Sequence, residues 1–164
     1  MVHTVQEKLK QSLKDTDNLY YKLILLVGKA GSGKTAVLRD IAKELDVPVI
    51  NVYLSLSEQL IELTPKQRSL RISMILENII DKNPSIKVLD NLEIIFDRRL
   101  NLDPLRILQK ISRNHVVIAS WNGYLEDGKL IYAESGHKEY RSYDMDDILI
   151  VEMEKGINRF NSNE

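Results

Sequence analysis

Eight residues, GKAGSGKT, have the types and spacing of a phosphate-binding loop. They fit the pattern G-x-x-x-x-G-K-[ST], whose glycines let successive backbone N–H groups turn inward around phosphate oxygens. Lys34 can reach the β and γ phosphates of ATP, and the Thr35 hydroxyl can bind the accompanying Mg²⁺. The predicted nucleotide-binding residues are Gly28, Lys29, Ala30, Gly31, Ser32, Gly33, Lys34, Thr35 and Ala36.

The segments on either side of this loop are those that phosphate binding requires. Leu23 to Val27 is a continuous apolar run, as expected of a strand buried on both faces. Apolar residues then recur at helical spacing from Val37 to Leu45. The N-terminus of such a helix offers unpaired N–H groups and a positive dipole end to an anion. The alternative is a glycine-rich turn that binds no ligand. Such a turn would use neither the unpaired N–H groups nor the positive end of the helix dipole.

Hydrolysis of a bound nucleotide also needs a carboxylate that holds the metal and a group that activates water. Asp90 ends the apolar run IKVLD and is the candidate metal-holding carboxylate; the alternative is a strand-end Asp that only starts a turn. Many ATPases of the additional-strand class have a Glu next, as the base. Here that residue is Asn91, whose amide can orient water but cannot take its proton. Glu93 is then the nearest candidate base, unless it is an ordinary solvated side chain.

The strand-like segment His115 to Ser120 ends beside a polar group, Ser120-Trp121-Asn122. In the same ATPase class this position carries a polar sensor residue between the γ phosphate and the metal-holding Asp. We assign that role to Asn122, with Ser120 as the second choice. The alternative is a turn, because Asn122-Gly123 is also a typical turn dipeptide.

The alternation of strand-like and helix-like segments predicts an α/β fold with a mostly parallel five-stranded sheet between helical layers. The expected strand order is 5-1-4-3-2, with a β-hairpin before the last strand and no helical lid after it. A small-molecule kinase, the alternative P-loop class of this size, would place the Asp90 strand next to the P-loop strand. We expect a strand from Val49 to Leu54 and a short helix from Ser57 to Leu63.

Length and composition indicate one domain, residues 1–164, with an N-terminal helix within 1–20, a hairpin insertion at 124–146 and a flexible tail at 155–164. There is no Cys, which excludes disulfides and thiolate metal sites. The net charge of -1 provides no overall basic field, so any DNA contact should be local or made through a partner. No signal peptide or membrane-spanning run is apparent, and we expect a cytoplasmic protein without membrane contact.

Several blocks together resemble one family. LYYKLILLVGKAGSGKT, LDNLEIIFD, DPLRILQKISRNHVVIASWNG and YAESGHKEY are similar to the BrxF family, small P-loop proteins of type 3 BREX bacteriophage-exclusion systems. The resemblance covers nearly the whole chain, and the Asp-Asn-x-Glu, Trp-Asn-Gly and Tyr-Ala-Glu blocks are its specific part. It implies a reduced AAA-like ATPase core that acts beside other BREX proteins, among them a DNA adenine methyltransferase, a larger ATPase and a phosphatase-like protein.

Without a lid, the usual cis arginine that contacts the γ phosphate has no domain to sit on. A homo-oligomer or a partner protein could supply one in trans, and the candidates are Arg113 and Arg141, unless both are ordinary solvated side chains. The leading function is therefore a slow ATPase that acts as a switch or assembly factor. A nucleotide-binding assembly module with little turnover is the alternative that Asn91 favours.

Overall fold

Helices and strands alternate along the chain in the computed structural model, which describes residues 4–81, 86–133, 139–144 and 148–153. The helices are α1 (Val5–Asp15), α2 (Lys34–Leu45), α3 (Val52–Leu60), α4 (Pro65–Asp81) and α5 (Pro104–Ile111); short 3-10 helices cover Thr16–Asn18, Leu92–Phe96 and Arg98–Leu100. The strands are β1 (Leu23–Gly28), β2 (Val49–Asn51), β3 (Ile86–Asp90), β4 (Val116–Glu126), β5 (Lys129–Tyr132), β6 (Arg141–Asp144) and β7 (Leu149–Glu152).

The central sheet has the order β2-β3-β4-β1-β7, and every neighbouring pair in it is parallel. This confirms the predicted order 5-1-4-3-2, with β7 as the fifth strand of the parallel layer. Because β4 lies between β1 and β3, the sheet has the additional-strand arrangement and lacks the neighbouring β1–β3 pair of the kinase alternative. The carboxyl ends of β1 and β3 therefore lie beside the middle of β4, residues 120–122, at one edge of the parallel sheet.

Each face of the sheet is covered by its own apolar cluster. On one face, Leu9 of α1 and Leu38 of α2 pack with Ile24 of β1. On the other face, α3, α4 and α5 bury residues such as Leu56 and Leu108 against the sheet. Burial on both faces explains why Leu23 to Val27 is apolar throughout.

The hairpin before the last strand is part of a larger antiparallel extension. β6 pairs with β5, as predicted, and β5 pairs in turn with the outer half of β4. The prediction that the fourth strand ends at Ser120 was wrong, because β4 continues through Asn122 to Glu126. The β4–β5 turn is instead Asp127-Gly128, whose φ angles of 52° and 75° suit a two-residue hairpin. Ser135-Gly136, the dipeptide at which the sequence predicts the β5–β6 hairpin to turn, lies outside the described residues, as does the tail at 155–164.

The second strand is shorter than predicted. β2 ends at Asn51 rather than Leu54, and α3 begins at once, before the expected start at Ser57. The Asn51 side chain accepts a hydrogen bond from Leu54 N at 3.0 Å and so caps α3. This cap outweighs the strand preference of the apolar residues that follow.

Among the described residues, none of the helices combines the length and the apolar character that crossing a bilayer requires.

Candidate nucleotide-binding site

The predicted phosphate-binding loop joins β1 to α2 and is shaped by its glycines. Gly31 and Gly33 have φ angles of 80° and 99°, in the left-handed region that favours glycine. Gly28 has no room for a side chain, because a Cβ there would lie 2.6 Å from Ser32 Oγ and 2.8 Å from Met153 Cγ. The loop therefore needs glycine for backbone conformation at two positions and for space at a third.

Lys34 is the first residue of α2, and its side chain folds back over the loop. Its Nζ donates hydrogen bonds to the carbonyl oxygens of Gly28 at 2.8 Å and Lys29 at 2.7 Å. Burial lowers the pKa of this ammonium, while the nearby carboxylates of Asp90 and Glu93 act to raise it. The charge thus lies inside the loop, among the atoms that would surround a phosphate.

Asp90 links the loop to two neighbouring elements. Its Oδ2 accepts a hydrogen bond from Thr35 Oγ1 at 2.7 Å, and its Oδ1 accepts one from Ser120 Oγ at 2.7 Å. The Asp90 residue is only 5% exposed. The structure thus brings together Thr35 and Asp90, the two residues predicted to hold Mg²⁺, although 55 positions separate them in the chain.

Asn91 has a backbone role in this structure. It adopts a left-handed conformation with φ of 57°, which asparagine tolerates better than most residues. Its carbonyl accepts a hydrogen bond from Tyr53 N at 3.0 Å. The 3-10 helix Leu92–Phe96 follows this left-handed residue directly and carries Glu93 in its first turn, beside the sheet edge.

Glu93 and Asn122 form a second polar pair at the same edge. Asn122 Nδ2 donates a hydrogen bond to Glu93 Oε2 at 3.1 Å. Burial is the main cause that raises the pKa of Glu93; the Asp90 charge raises it further, while a backbone hydrogen bond and the Lys34 charge lower it. Ser120 and Asn122, the two sensor candidates, therefore contact different carboxylates, Asp90 and Glu93 respectively.

The two arginine candidates lie on elements other than the loop. Arg113 follows α5, next to the start of β4, and so lies at the sheet edge opposite the loop. Its guanidinium is stacked over the Tyr20 ring at 4.4 Å from the centroid. Arg141 begins β6 opposite Tyr132 and is half-buried. Among the described residues, neither guanidinium makes a hydrogen bond or ring contact with the phosphate-binding loop.

The chemistry of the site fits a nucleotide with Mg²⁺. Ser32 Oγ is buried in the loop and has no hydrogen-bond partner among the described residues. A hydroxyl and a carboxylate, those of Thr35 and Asp90, are the oxygen ligands that Mg²⁺ prefers. Within the described residues no group of three or more His, Asp or Glu is placed to hold a metal, so a metal here would depend on phosphate oxygens as further ligands.

Met153 is a residue of this site that the sequence analysis missed. It follows β7, and its N donates to Val27 O at 2.8 Å because β7 pairs with β1. Its side chain lies beside Gly28, and its Cε is 3.6 Å from the Cβ position of Gly33. No local pattern marks this methionine, since only the sheet order brings it to the loop.

Comparison with protein families matches residues 24–118 to the model described as "ATPase family associated with various cellular activities (AAA)". This range contains all of β1 except its first residue, together with the loop, Asp90 and the strands β2 and β3. The chain belongs to the AAA family. The resemblance to an AAA-like core is therefore confirmed at the level of the AAA family.

One similar solved structure is that of AMPPCP-bound DnaA from Aquifex aeolicus, with 19% sequence identity and a TM-score of 0.44. The match covers 89% of this chain and 44% of the DnaA chain. C. elegans PCH-2 has 19% identity and a TM-score of 0.44 over 90% of this chain and 40% of that one. The AAA chain described here thus spans less than half the length of either structure. No curated protein matches this sequence.

Proposed function

We propose that this AAA protein binds ATP with Mg²⁺ at the Gly28–Ala36 loop and hydrolyses it slowly. The observation that carries the proposal is the 2.7 Å hydrogen bond between Thr35 and Asp90, which joins the two residues that would hold the metal. When bound, Mg²⁺ would neutralise negative charge on the phosphate oxygens. The loop N–H groups and Lys34 would bind the phosphates, and Lys34 would exchange its bonds to two carbonyls for phosphate contacts.

The carboxylate of Glu93 is the proposed base. It is half-buried, and Asn122 donates to one of its oxygens, so the other oxygen can accept a proton from water. The amide of Asn122 fixes the carboxylate and can also orient that water. Ser120 donates a hydrogen bond to Asp90 Oδ1, the carboxylate oxygen that Thr35 does not contact, and so helps to fix the carboxylate.

We expect slow turnover because Asn91 stands at the position where other ATPases have their catalytic base. Asn91 cannot accept a proton and serves the backbone turn, which leaves the base to a residue two positions later. We expect the isolated protein to hydrolyse ATP at or below about 1 s⁻¹, the low end for enzymes. Such a protein suits a switch or an assembly factor, and phosphate release too slow to detect would favour the assembly module with little turnover.

The resemblance to the BrxF family supports a role in BREX defence against bacteriophage. In that setting the partners are other BREX proteins, and DNA contact is local or made through them. Pull-down of the tagged protein from its native operon, with and without ATP, tests this role. Failure to recover any BREX protein under both conditions would contradict it.

Lys34→Ala is expected to weaken ATP binding by at least about tenfold, or about 1.4 kcal/mol, because it deletes a charge-assisted contact in a dehydrated loop. Titration calorimetry with ATP and Mg²⁺ measures the change. Lys43→Ala, which removes an exposed lysine from the same helix, is the matched control. Equal affinity for the Lys34 variant and the parent, with both folded, would rule out nucleotide binding through this loop.

Nucleotide is also expected to promote self-association or docking of a partner protein that supplies an arginine. In phosphoryl transfer such an arginine can be worth about 10³ to 10⁵ in rate. Arg113 and Arg141 are the candidates from a second copy. Light scattering over a concentration series, with and without a slowly hydrolysed ATP analogue, tests self-association. A monomer throughout, with Arg113→Ala and Arg141→Ala hydrolysing ATP at the parent rate alone and with partners, would contradict the proposal.

A further inference from the structure

Three cations lie along the outer face of α5 and the turn that follows it. Arg106 and Lys110 are four residues apart, so they lie on the same side of the helix, about 6 Å apart along its axis. Arg113 follows in the turn after α5, where its N donates a hydrogen bond to Lys110 O at 3.4 Å. All three side chains are exposed. We call these three residues the α5 basic face.

A pocket of about 450 Å³ opens beside the α5 basic face. All three cations line it, together with polar groups from Ser73 of α4 and from Asn101 and Gln109. The amides of Asn101 and Gln109 and the hydroxyl of Ser73 can each both donate and accept hydrogen bonds. The lining therefore combines positive charge with groups that can hydrogen-bond to the edge of a base.

An aromatic pair borders the same surface. Tyr21 lines the pocket, and Tyr20 packs edge-to-face against it with ring centroids 4.8 Å apart. Tyr20 is 60% exposed, and the Arg113 guanidinium lies over its ring at 4.4 Å. A large exposed aromatic ring next to cations is the combination on which single-stranded bases stack.

The nearby carboxylates leave the surface positive. Asp103 also lines the pocket, but its carboxylate caps α5 by accepting a hydrogen bond from Arg106 N at 3.4 Å. Glu77 of α4 lies 3.5 Å from Lys110 Nζ. Three cations against one lining carboxylate contrast with the net charge of -1 for the whole chain.

This surface is separate from the ATP site. Tyr20 and Tyr21 precede β1, and Arg113 precedes β4, so they lie at the edge where these parallel strands begin. The phosphate-binding loop and Asp90 follow the other ends of their strands. A ligand on the α5 basic face therefore need not touch the ATP loop.

We propose that the α5 basic face, its pocket and Tyr20 bind single-stranded nucleic acid. The three cations contact successive backbone phosphates, and an unpaired base stacks on the exposed Tyr20 ring, on the face that the Arg113 guanidinium does not cover. Duplex DNA keeps its bases stacked on one another, so it could use the cations but not the ring. The expected ligand is thus a single strand, bound with little sequence preference.

Fluorescence anisotropy with a labelled 15-nucleotide oligothymidylate, without ATP, tests the proposal. Three phosphate contacts predict that log K falls with log salt at a slope of about -2, which is a loss of about fifteenfold between 50 and 200 mM KCl. Arg106→Gln with Lys110→Gln should weaken binding at least fivefold at 50 mM and reduce the slope to about -0.7. The matched control, Lys10→Gln with Lys14→Gln on α1, removes one lysine paired with Glu44 and one other exposed lysine, and should bind as the parent does.

Tyr20→Ala should weaken binding by about fivefold or more, whereas Tyr20→Phe, which keeps the ring, should bind as the parent does. Lys34→Ala should retain oligonucleotide binding, because Lys34 lies in the ATP loop and not on the α5 basic face. The nucleic-acid proposal can therefore fail while ATP binding is confirmed, or hold while ATP binding fails. Parent-like binding by the Arg106 and Lys110 double variant would overturn the proposal. So would equally tight binding of labelled polyglutamate, which would make the surface a general site for acidic chains.

Discussion

Replacing Glu93 with glutamine is expected to lower the rate of ATP hydrolysis by about 10²- to 10⁴-fold while ATP binding persists, because a positioned general base contributes a factor of that size. Glutamine keeps the length of the side chain and can still accept the hydrogen bond from Asn122. It cannot take a proton from water. Phosphate release under single-turnover conditions measures the loss, and calorimetry checks that ATP affinity is retained.

Glu62→Gln is the control for this change, since it neutralises an exposed glutamate in the turn between α3 and α4. It should hydrolyse ATP at the parent rate. If Glu93→Gln releases phosphate as fast as Glu62→Gln does, Glu93 is not the base.

The pH dependence of the same variant gives a second, independent readout. Because burial raises the pKa of Glu93 in the folded protein, the rate should fall on acidification at a pH above the ordinary glutamate value of 4.5. The raised pKa also means that folding favours the protonated carboxyl, so the ionised form lowers the free energy of unfolding at neutral pH. Glu93→Gln should therefore have the higher melting temperature at pH 7, and this advantage should disappear below about pH 4.5.

The sequence was most informative where the signal is local. The loop from Gly28 to Ala36 could be predicted because its glycines, Lys34 and the flanking strand and helix all lie within a few residues. The alternation of strands and helices predicted a parallel sheet, and its strand order was predicted by assigning the chain to the additional-strand class of ATPases. Roles of the individual site residues stay predictions, but the structure does place Glu93 beside Asp90 and Lys34.

Predictions were wrong where a local pattern had two readings. The apolar residues after Asn51 suit a strand, but the Asn51 side chain caps a helix there by a hydrogen bond to Leu54 N, only three positions away. Asn122-Gly123 has the composition of a turn, but Gly123 pairs with Tyr132 inside a long strand. Met153 reaches the loop only because β7 lies beside β1. The contacts of Gly123 and Met153 join separate strands, so a window of neighbouring residues does not reveal them. The Asn51 cap is local, but the apolar residues after it fit a strand equally well.

The neighbours of Gly123 leave no room for a side chain at this position. The Trp121 indole Nε1 donates a hydrogen bond to Ile131 O at 3.0 Å, and Trp121 packs edge-to-face with Phe96 and Tyr132. The Ile131 carbonyl oxygen lies 1.8 Å from the position that a Cβ on residue 123 would take. Because this oxygen belongs to the backbone of a paired strand, it cannot swing aside as a flexible side chain would.

Gly123→Ala is therefore expected to lower the free energy of unfolding by at least about 3 kcal/mol, above the usual range for an overpacked methyl group. Gly128→Ala is the matched control: a Cβ there has nothing within 4 Å, and its φ of 75° should cost only about 1 to 2 kcal/mol. Urea unfolding followed by the fluorescence of Trp121 measures both changes, and a Gly123 variant that is already unfolded in buffer meets the expectation. Equal midpoints for the two variants would contradict it.

Because Trp121 lies between Ser120 and Asn122, a folded Gly123→Ala protein should also hydrolyse ATP more slowly than Gly128→Ala does, since displacing the indole shifts the groups that hold Asp90 and Glu93.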